Sequence, residues 1–373
     1  LLSATRPELS EKEHNPFNTI SLKDQSASDG SLQYLPELNS LRALAVVMTL
    51  LAHFSPVDIP YMWYGVPIFF TLSGFLITTI LLRNLQKSTK RLLIIKNFVV
   101  RRVLRLFPVY YLFLLFFLFA YKFLHLYLWK PDYTIYFFTY TPNLLIAKKG
   151  AHYLGCFEHL WSLGVEEQFY LFWPWLLLFS PSKFRIPIIA AIICIPFISI
   201  YLNPQATKTG VFPFHTLGVG AILACLYVRQ DAAINWLKEN RRWIFGVTFL
   251  HLLVVLILFN DSYRWWYLYR ELSLCLCTFS IVLVSVYGWK GIAGYIARNK
   301  QIQNIGVISY GIYLFHMPVP FVYRAIASRA FPSVQLSPWV FTGLCFVLTF
   351  ILAALSYRFI ETPFLKMKRY FVQ

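Results

Sequence analysis

Apolar runs of about the twenty residues a helix needs to cross a hydrocarbon core recur ten times along the chain. They lie at residues 38–56, 64–83, 104–124, 161–180, 186–202, 211–228, 244–260, 271–289, 305–327 and 338–360. Short polar or basic stretches separate them. The pattern predicts an all-α integral membrane protein, a bundle of about ten transmembrane helices, because a helix satisfies its backbone hydrogen bonds within one segment. A further apolar stretch, YTIYFFTYTPNLLIA at 133–147, is ambiguous on pattern alone.

The placement of lysine and arginine decides it, since cytoplasmic loops are enriched in both. If 133–147 crosses, the basic loop 229–242 falls outside. If it does not, 22 lysines and arginines lie on one side and seven on the other. This puts both termini in the cytoplasm and makes 133–147 a re-entrant or interfacial segment on the outer face. Residues 1–34 are expected to be a polar cytoplasmic tail without the apolar core of a cleavable signal. Residues 35–363 form the membrane domain, and 364–373 a basic cytoplasmic tail. In a bacterium the membrane would be the cytoplasmic (inner) one.

Composition agrees. Of 373 residues, 58% are hydrophobic and only 13% charged, against about 25% charged in soluble domains. The net charge of +18 is dispersed between apolar runs rather than gathered in one stripe. It therefore orients the chain in a bilayer and does not mark a nucleic-acid partner. The six cysteines include no CxxC pair, so neither a disulfide framework nor a metal site is expected.

Ionisable groups inside spans are expensive and mark functional sites. In LRALAVVMTLLAHF, Arg42 and His53 are separated by three helical turns plus roughly 20°, a rise of about 16 Å. Both point the same way from different depths. WSLGVEEQFY brings in Glu166 and Glu167; ISYGIYLFHMP brings Tyr310, Tyr313 and His316. FVVRRVLRLFP places Arg101, Arg102 and Arg105 at the inner end of the third span, with Arg101 and Arg105 on one face. An imidazole and a carboxylate in hydrocarbon need partners, so His53 and Glu166 are expected to meet across helices. Arginines at the inner mouth suit a ligand with a phosphorylated head.

LRALAVVMTLLAHF, GVPIFFTLSGFLIT, FVVRRVLRLFPVYYL, HLWSLGVEEQFYLFWP and ISYGIYLFHMP, in this order and followed by SYRFIETPF, resemble the acyltransferase-3 family of integral-membrane acyltransferases over about residues 35–363. The resemblance implies transfer of an acyl group, commonly acetyl, from cytoplasmic acyl-CoA to a hydroxyl of an extracytoplasmic glycan or glycolipid, lipopolysaccharide included. Acyl-CoA would be a donor substrate, with no tightly bound cofactor. Arg42 and His53 match the family's arginine and histidine with ten residues between. Arg101 and Arg105, with Arg102 beside them, match the motif associated with coenzyme A phosphates. Glu166 matches the glutamate of the Trp-Ser-Leu motif. His53 would be the general base, oriented by Glu166. Trp161, Tyr170, Tyr310, Tyr313 and His316 are expected to bind substrate. Ser73 and Ser162 are hydroxyls on which an acyl group could rest, although both read first as helix-packing serines.

Two positions depart from the family's pattern. Pro67 stands where many members carry an acid, and Ser40 stands where glycine is usual. With no further domain expected before residue 373, the bundle would bind its acceptor itself. Two other readings stay open: a proton-coupled transporter of a small anion or lipid-linked sugar that uses His53, Glu166 and Arg42 as a relay, and an acyl-CoA-binding scaffold without turnover.

Overall fold

The computed structural model describes residues 35–59, 61–125, 128–202, 214–258, 264–330 and 336–371. The expected N-terminal tail and the start of the sixth apolar run lie outside them. Every regular element among the described residues is helical.

Helix α1 (Pro36–Phe54) begins on a proline, whose missing N–H is no loss in a first turn. Helix α2 (Gly65–Lys87) follows, then α3 (Arg91–Phe123), which runs through Pro108. Helix α3 starts thirteen residues before the expected span at 104. Its basic residues therefore lie along the helix rather than in a loop at its mouth.

The stretch 133–147 folds as two short helices, α4 (Tyr133–Phe138) and α5 (Pro142–Lys149), around a turn in which Tyr140 takes a left-handed φ of 55°. At six and eight residues, neither is long enough to cross. The turn docks on α6 (Leu160–Phe179). Gln168 donates to the Tyr140 carbonyl at 2.9 Å and exchanges two hydrogen bonds with Asn143. Gln168 lies about 12 Å along α6 from its start, so the segment dips into the bundle and returns.

The chain continues through α7 (Arg185–Leu202), α8 (Phe214–Arg229), α9 (Ala232–Leu258) and α10 (Arg264–Tyr287). The ninth apolar run, expected as one span, is three helices instead: α11 (Gly291–Ala297) leads into α12 (Lys300–Val307), α13 (Ser309–Phe315) and α14 (Pro318–Ala330). Pro318 and Pro320 offer no N–H to a preceding turn, which favours a break there, and His316 sits at that break. Helix α15 (Pro338–Ser356) ends in a π-turn (Tyr357–Glu361) and α16 (Thr362–Met367).

The protein is an integral, multi-pass membrane protein. Six helical stretches are long and apolar enough to span: Met62–Lys87, Arg91–Phe123, Ser182–Ser199, Ala232–Ile257, Leu268–Tyr287 and Pro338–Phe371. Helices α1 and α6 fall short of that hydropathy because they carry the charged and polar groups singled out above.

Helices α2 and α8 cross closely. A Cβ on Gly74 would lie 1.9 Å from the Leu217 carbonyl oxygen, and one on Gly220 would lie 1.9 Å from that of Thr71. Neither backbone can withdraw without unpacking the core formed by Leu72, Phe75, Leu223 and Ala224. Gly220→Val is therefore expected to lower the midpoint of thermal unfolding in detergent, by the equivalent of about 1–3 kcal/mol or more. Gly246→Val, with nothing within 4 Å of its new Cβ, should not. Equal midpoints for the two variants would contradict the crossing.

Candidate functional site

The face of the bundle where α1 begins is here the near face; the one where it ends is the far face. Between α1, α2, α3, α6 and α13 lies a cavity of about 120 Å³, with Arg42, Arg102, Arg105 and Glu166 in its wall. Within it, Tyr170 donates to Ser73 Oγ at 3.3 Å, and Ser73 donates to Glu166 Oε1 at 2.8 Å. Arg42 is in electrostatic reach of Glu166, Arg105 and Arg102. The guanidinium of Arg102 lies over the Tyr170 ring at 5.6 Å. Behind this wall the π-turn supplies Glu361, buried within electrostatic reach of Arg105 and Arg42, its Oε1 without a hydrogen-bond partner among the described residues. Tyr310 and Tyr313 close the cavity from α13, and the Tyr310 hydroxyl donates to the Leu106 carbonyl at 3.2 Å.

His53 is elsewhere. At the far end of α1 its Nδ1 is 2.9 Å from the Thr49 carbonyl. A carbonyl can only accept, so Nδ1 carries the proton and Nε2 keeps the lone pair of a base. The ring meets Trp63 edge-on with centroids 4.6 Å apart, and His316 at 4.8 Å. His316 in turn lies 4.9 Å from His159. His316 Nδ1 donates to the Tyr313 carbonyl at 2.6 Å, which leaves its buried Nε2 without a partner among the described residues. His159 Nε2 donates to the Leu314 carbonyl at 3.0 Å. A second cavity, of about 750 Å³, opens beside His53 and is walled by Tyr323, Arg324, Phe341 and Thr342 among others.

A thin partition separates the near cavity from the histidines. The hydroxyls of Tyr313 and Ser162 are 2.6 Å apart, and each lies within hydrogen-bond reach of the His159 carbonyl. Both residues line the near cavity. The Tyr313 ring also approaches His316 at 5.2 Å and His159 at 5.7 Å.

Three expectations from the sequence are corrected. His53 and Glu166 do not pair: they line different cavities, and Glu166 is held by Ser73. The reason is depth. His53 is level with His159, which precedes α6, whereas Glu166 lies about 10 Å beyond His159 along that helix. Next, Arg102 rather than Arg101 joins Arg105 in the cavity wall; residues three apart share a helix face as readily as residues four apart. Finally, Trp161 lines neither cavity and packs edge-on against Phe70 at 5.9 Å. Tyr170, Tyr310 and Tyr313 do face the near cavity, and His316 stands beside His53. Sequence reasoning missed His159 and Glu361. The only signals for them were an imidazole just ahead of an apolar run and an acid inside SYRFIETPF.

The fold and site define a class: a helical membrane protein with half-buried arginines on one side of a thin wall and a histidine cluster on the other. The chain belongs to the acyltransferase-3 family, whose model, described as an acyltransferase domain, matches residues 35–358. It is 30% identical over 362 residues to the peptidoglycan O-acetyltransferase OatA of Listeria monocytogenes, covering 90% of this chain and 56% of that one. A putative O-acetyltransferase of Staphylococcus aureus strain COL is 29% identical over 361 residues, covering 90% of this chain and 58% of its own. The O-acetyltransferase OatA of Staphylococcus aureus strain NCTC 8325 is 28% identical over 364 residues. The chain thus spans less than two thirds of the length of these relatives. No solved structure matches it.

Proposed function

We propose that the protein is a membrane O-acyltransferase that moves an acyl group, in the simplest case acetyl, from cytoplasmic acyl-CoA to a hydroxyl of an extracytoplasmic glycan or glycolipid. The observation that carries this reading is the back-to-back pair of cavities: three guanidinium groups face one, His53 faces the other, and Tyr313 with Ser162 stands between. In this reading the chain crosses the bilayer ten times and the near face is cytoplasmic, as the 22-to-seven split of basic residues favours. In a bacterium it would sit in the cytoplasmic membrane.

The donor's phosphates bind Arg42, Arg102 and Arg105, whose planar donor forks suit phosphate oxygens. Its extended arm reaches toward Tyr313, whose side chain must swing aside for the thioester to reach the histidines. The acceptor enters the far cavity with a hydroxyl against His53 Nε2. His53 takes the hydroxyl proton while the oxygen bonds to the thioester carbonyl carbon. The carbon–sulfur bond then breaks, and the proton passes to the departing sulfur, leaving an ester and a free coenzyme A thiol. Excluding water from the partition limits hydrolysis of the thioester. Glu166, set apart from His53, neutralises Arg42 and orders Ser73 rather than orienting the base.

The Listeria relative is named for peptidoglycan, which makes a cell-wall glycan the first acceptor to try, ahead of lipopolysaccharide. Purified protein in nanodiscs, given radiolabelled acetyl-CoA and glycan, should leave alkali-labile label on the glycan. Intact acetyl-CoA and unlabelled glycan would instead favour a transporter.

A further inference from the structure

We infer that the far cavity takes a carboxylate-bearing sugar, with Arg324 as the residue that reads the carboxylate. This rests on the acyl transfer proposed above and names the chemistry of its acceptor.

The cavity, about 750 Å³, is of the size that encloses a small ligand, about 300–1,000 Å³. Its wall is mostly apolar. The Tyr323 and Phe341 rings, 5.5 Å apart, offer flat surfaces of the kind that meet the C–H faces of a sugar. Among the described residues, and apart from His53, the only side chain of Asp, Glu, Lys or Arg type in that wall is Arg324.

Two observations point to an anion at Arg324. Arg324 is exposed at the cavity's edge, and among the described residues no carboxylate forms an ion pair with it. Its guanidinium carbon sits 4.7 Å over the Phe341 ring, which occupies one face of the group and holds it flat. What remains is the in-plane fork of N–H donors, the geometry that pairs bidentately with a carboxylate. Arg324 lies on α14, eight residues beyond His316 in the chain, and shares the cavity wall with His53. A sugar chain anchored there by its acid would present its hydroxyls to His53.

The near cavity supplies the contrast. There three arginines converge, as suits the several charges of a nucleotide's phosphates; the far cavity has one. A single planar cation matches a monoanion such as a hexuronate carboxylate. The alternative anion, a lipid phosphate at the bilayer surface, is separated from it by the test.

The test uses the full chain in zwitterionic nanodiscs and two fluorescent probes: a hexuronic acid trisaccharide and its methyl ester, equal in size and hydroxyl count. Binding is read by fluorescence polarisation, transfer by radiolabel from acetyl-CoA. The wild-type protein should bind the acid at least tenfold tighter than the ester. Arg324→Gln should bind both as weakly as the wild type binds the ester, Arg324→Lys should keep part of the preference, and His53→Ala should keep all of it. The inference is overturned if the wild type binds acid and ester alike, or if the preference survives in Arg324→Gln. It is also overturned if Arg324→Gln alters only the response to added phosphatidylglycerol, which would make the arginine a headgroup anchor. Preferential binding without transfer to either probe would count against acyl transfer and leave the carboxylate site standing; transfer without preference would do the reverse.

Discussion

His53→Ala should slow acyl transfer by about a hundredfold to ten-thousandfold, the range expected for losing a general base, while acyl-CoA binds as before. The expectation follows from where the imidazole sits. Its Nδ1–H is committed to the Thr49 carbonyl, so the neutral ring offers its lone pair at Nε2, and it lines the far cavity rather than the arginine-walled one. Removing it takes away the proton acceptor without touching a group placed to hold the donor's phosphates. Single-turnover transfer measured beside equilibrium binding of coenzyme A separates the two effects. If the variant lost affinity and rate together, His53 would belong to the donor's site and the two-cavity account would be wrong.

Arg102→Ala and Arg105→Ala should show the mirror image. Each removes hydrogen bonds to a charged ligand, worth about 1.5–3 kcal/mol, or roughly tenfold to a hundredfold in affinity. Arg101→Ala is the internal control: it lies on the same helix turn and outside the cavity wall, so coenzyme A affinity should hardly move. Arg42 calls for a milder change. It is the half-buried countercharge of Glu166 and Glu361, and removing one partner of a buried charge cluster costs up to about 3–5 kcal/mol in stability. Arg42→Lys keeps the charge, removes the planar fork, and should weaken coenzyme A binding in protein that still folds. Titration calorimetry in detergent measures all four. A loss for Arg101→Ala equal to that for Arg102→Ala would restore the face predicted from the sequence.

That contrast shows where the sequence was legible and where it was not. Apolar runs announce buried helices because burial acts over a whole segment, and each of the ten runs is mostly helical where described. Boundaries were less visible. The stretch from Arg91 to Arg102 falls between the apolar runs because four basic residues interrupt it, yet arginine, lysine and leucine are good helix formers, and α3 begins there. The break at His316 was foreshadowed by MPVP, but an apolar count does not register it.

At the site, the identities of the ionisable groups were plain because charge in an apolar run is conspicuous. Their partners were not. Whether Glu166 meets His53 or Ser73 depends on how far α6 is shifted along α1 and α2. Periodicity within one helix says nothing about that shift. The same holds for His159, which joins the cluster only because α6 starts level with the end of α1.

A density map of the protein with a non-hydrolysable acetyl-CoA analogue tests the central claim most directly. The account predicts the phosphates among Arg42, Arg102 and Arg105, with the acetyl end against Tyr313 and pointing toward His53. Phosphates lodged beside Arg324 in the far cavity, with the near cavity empty, would contradict it.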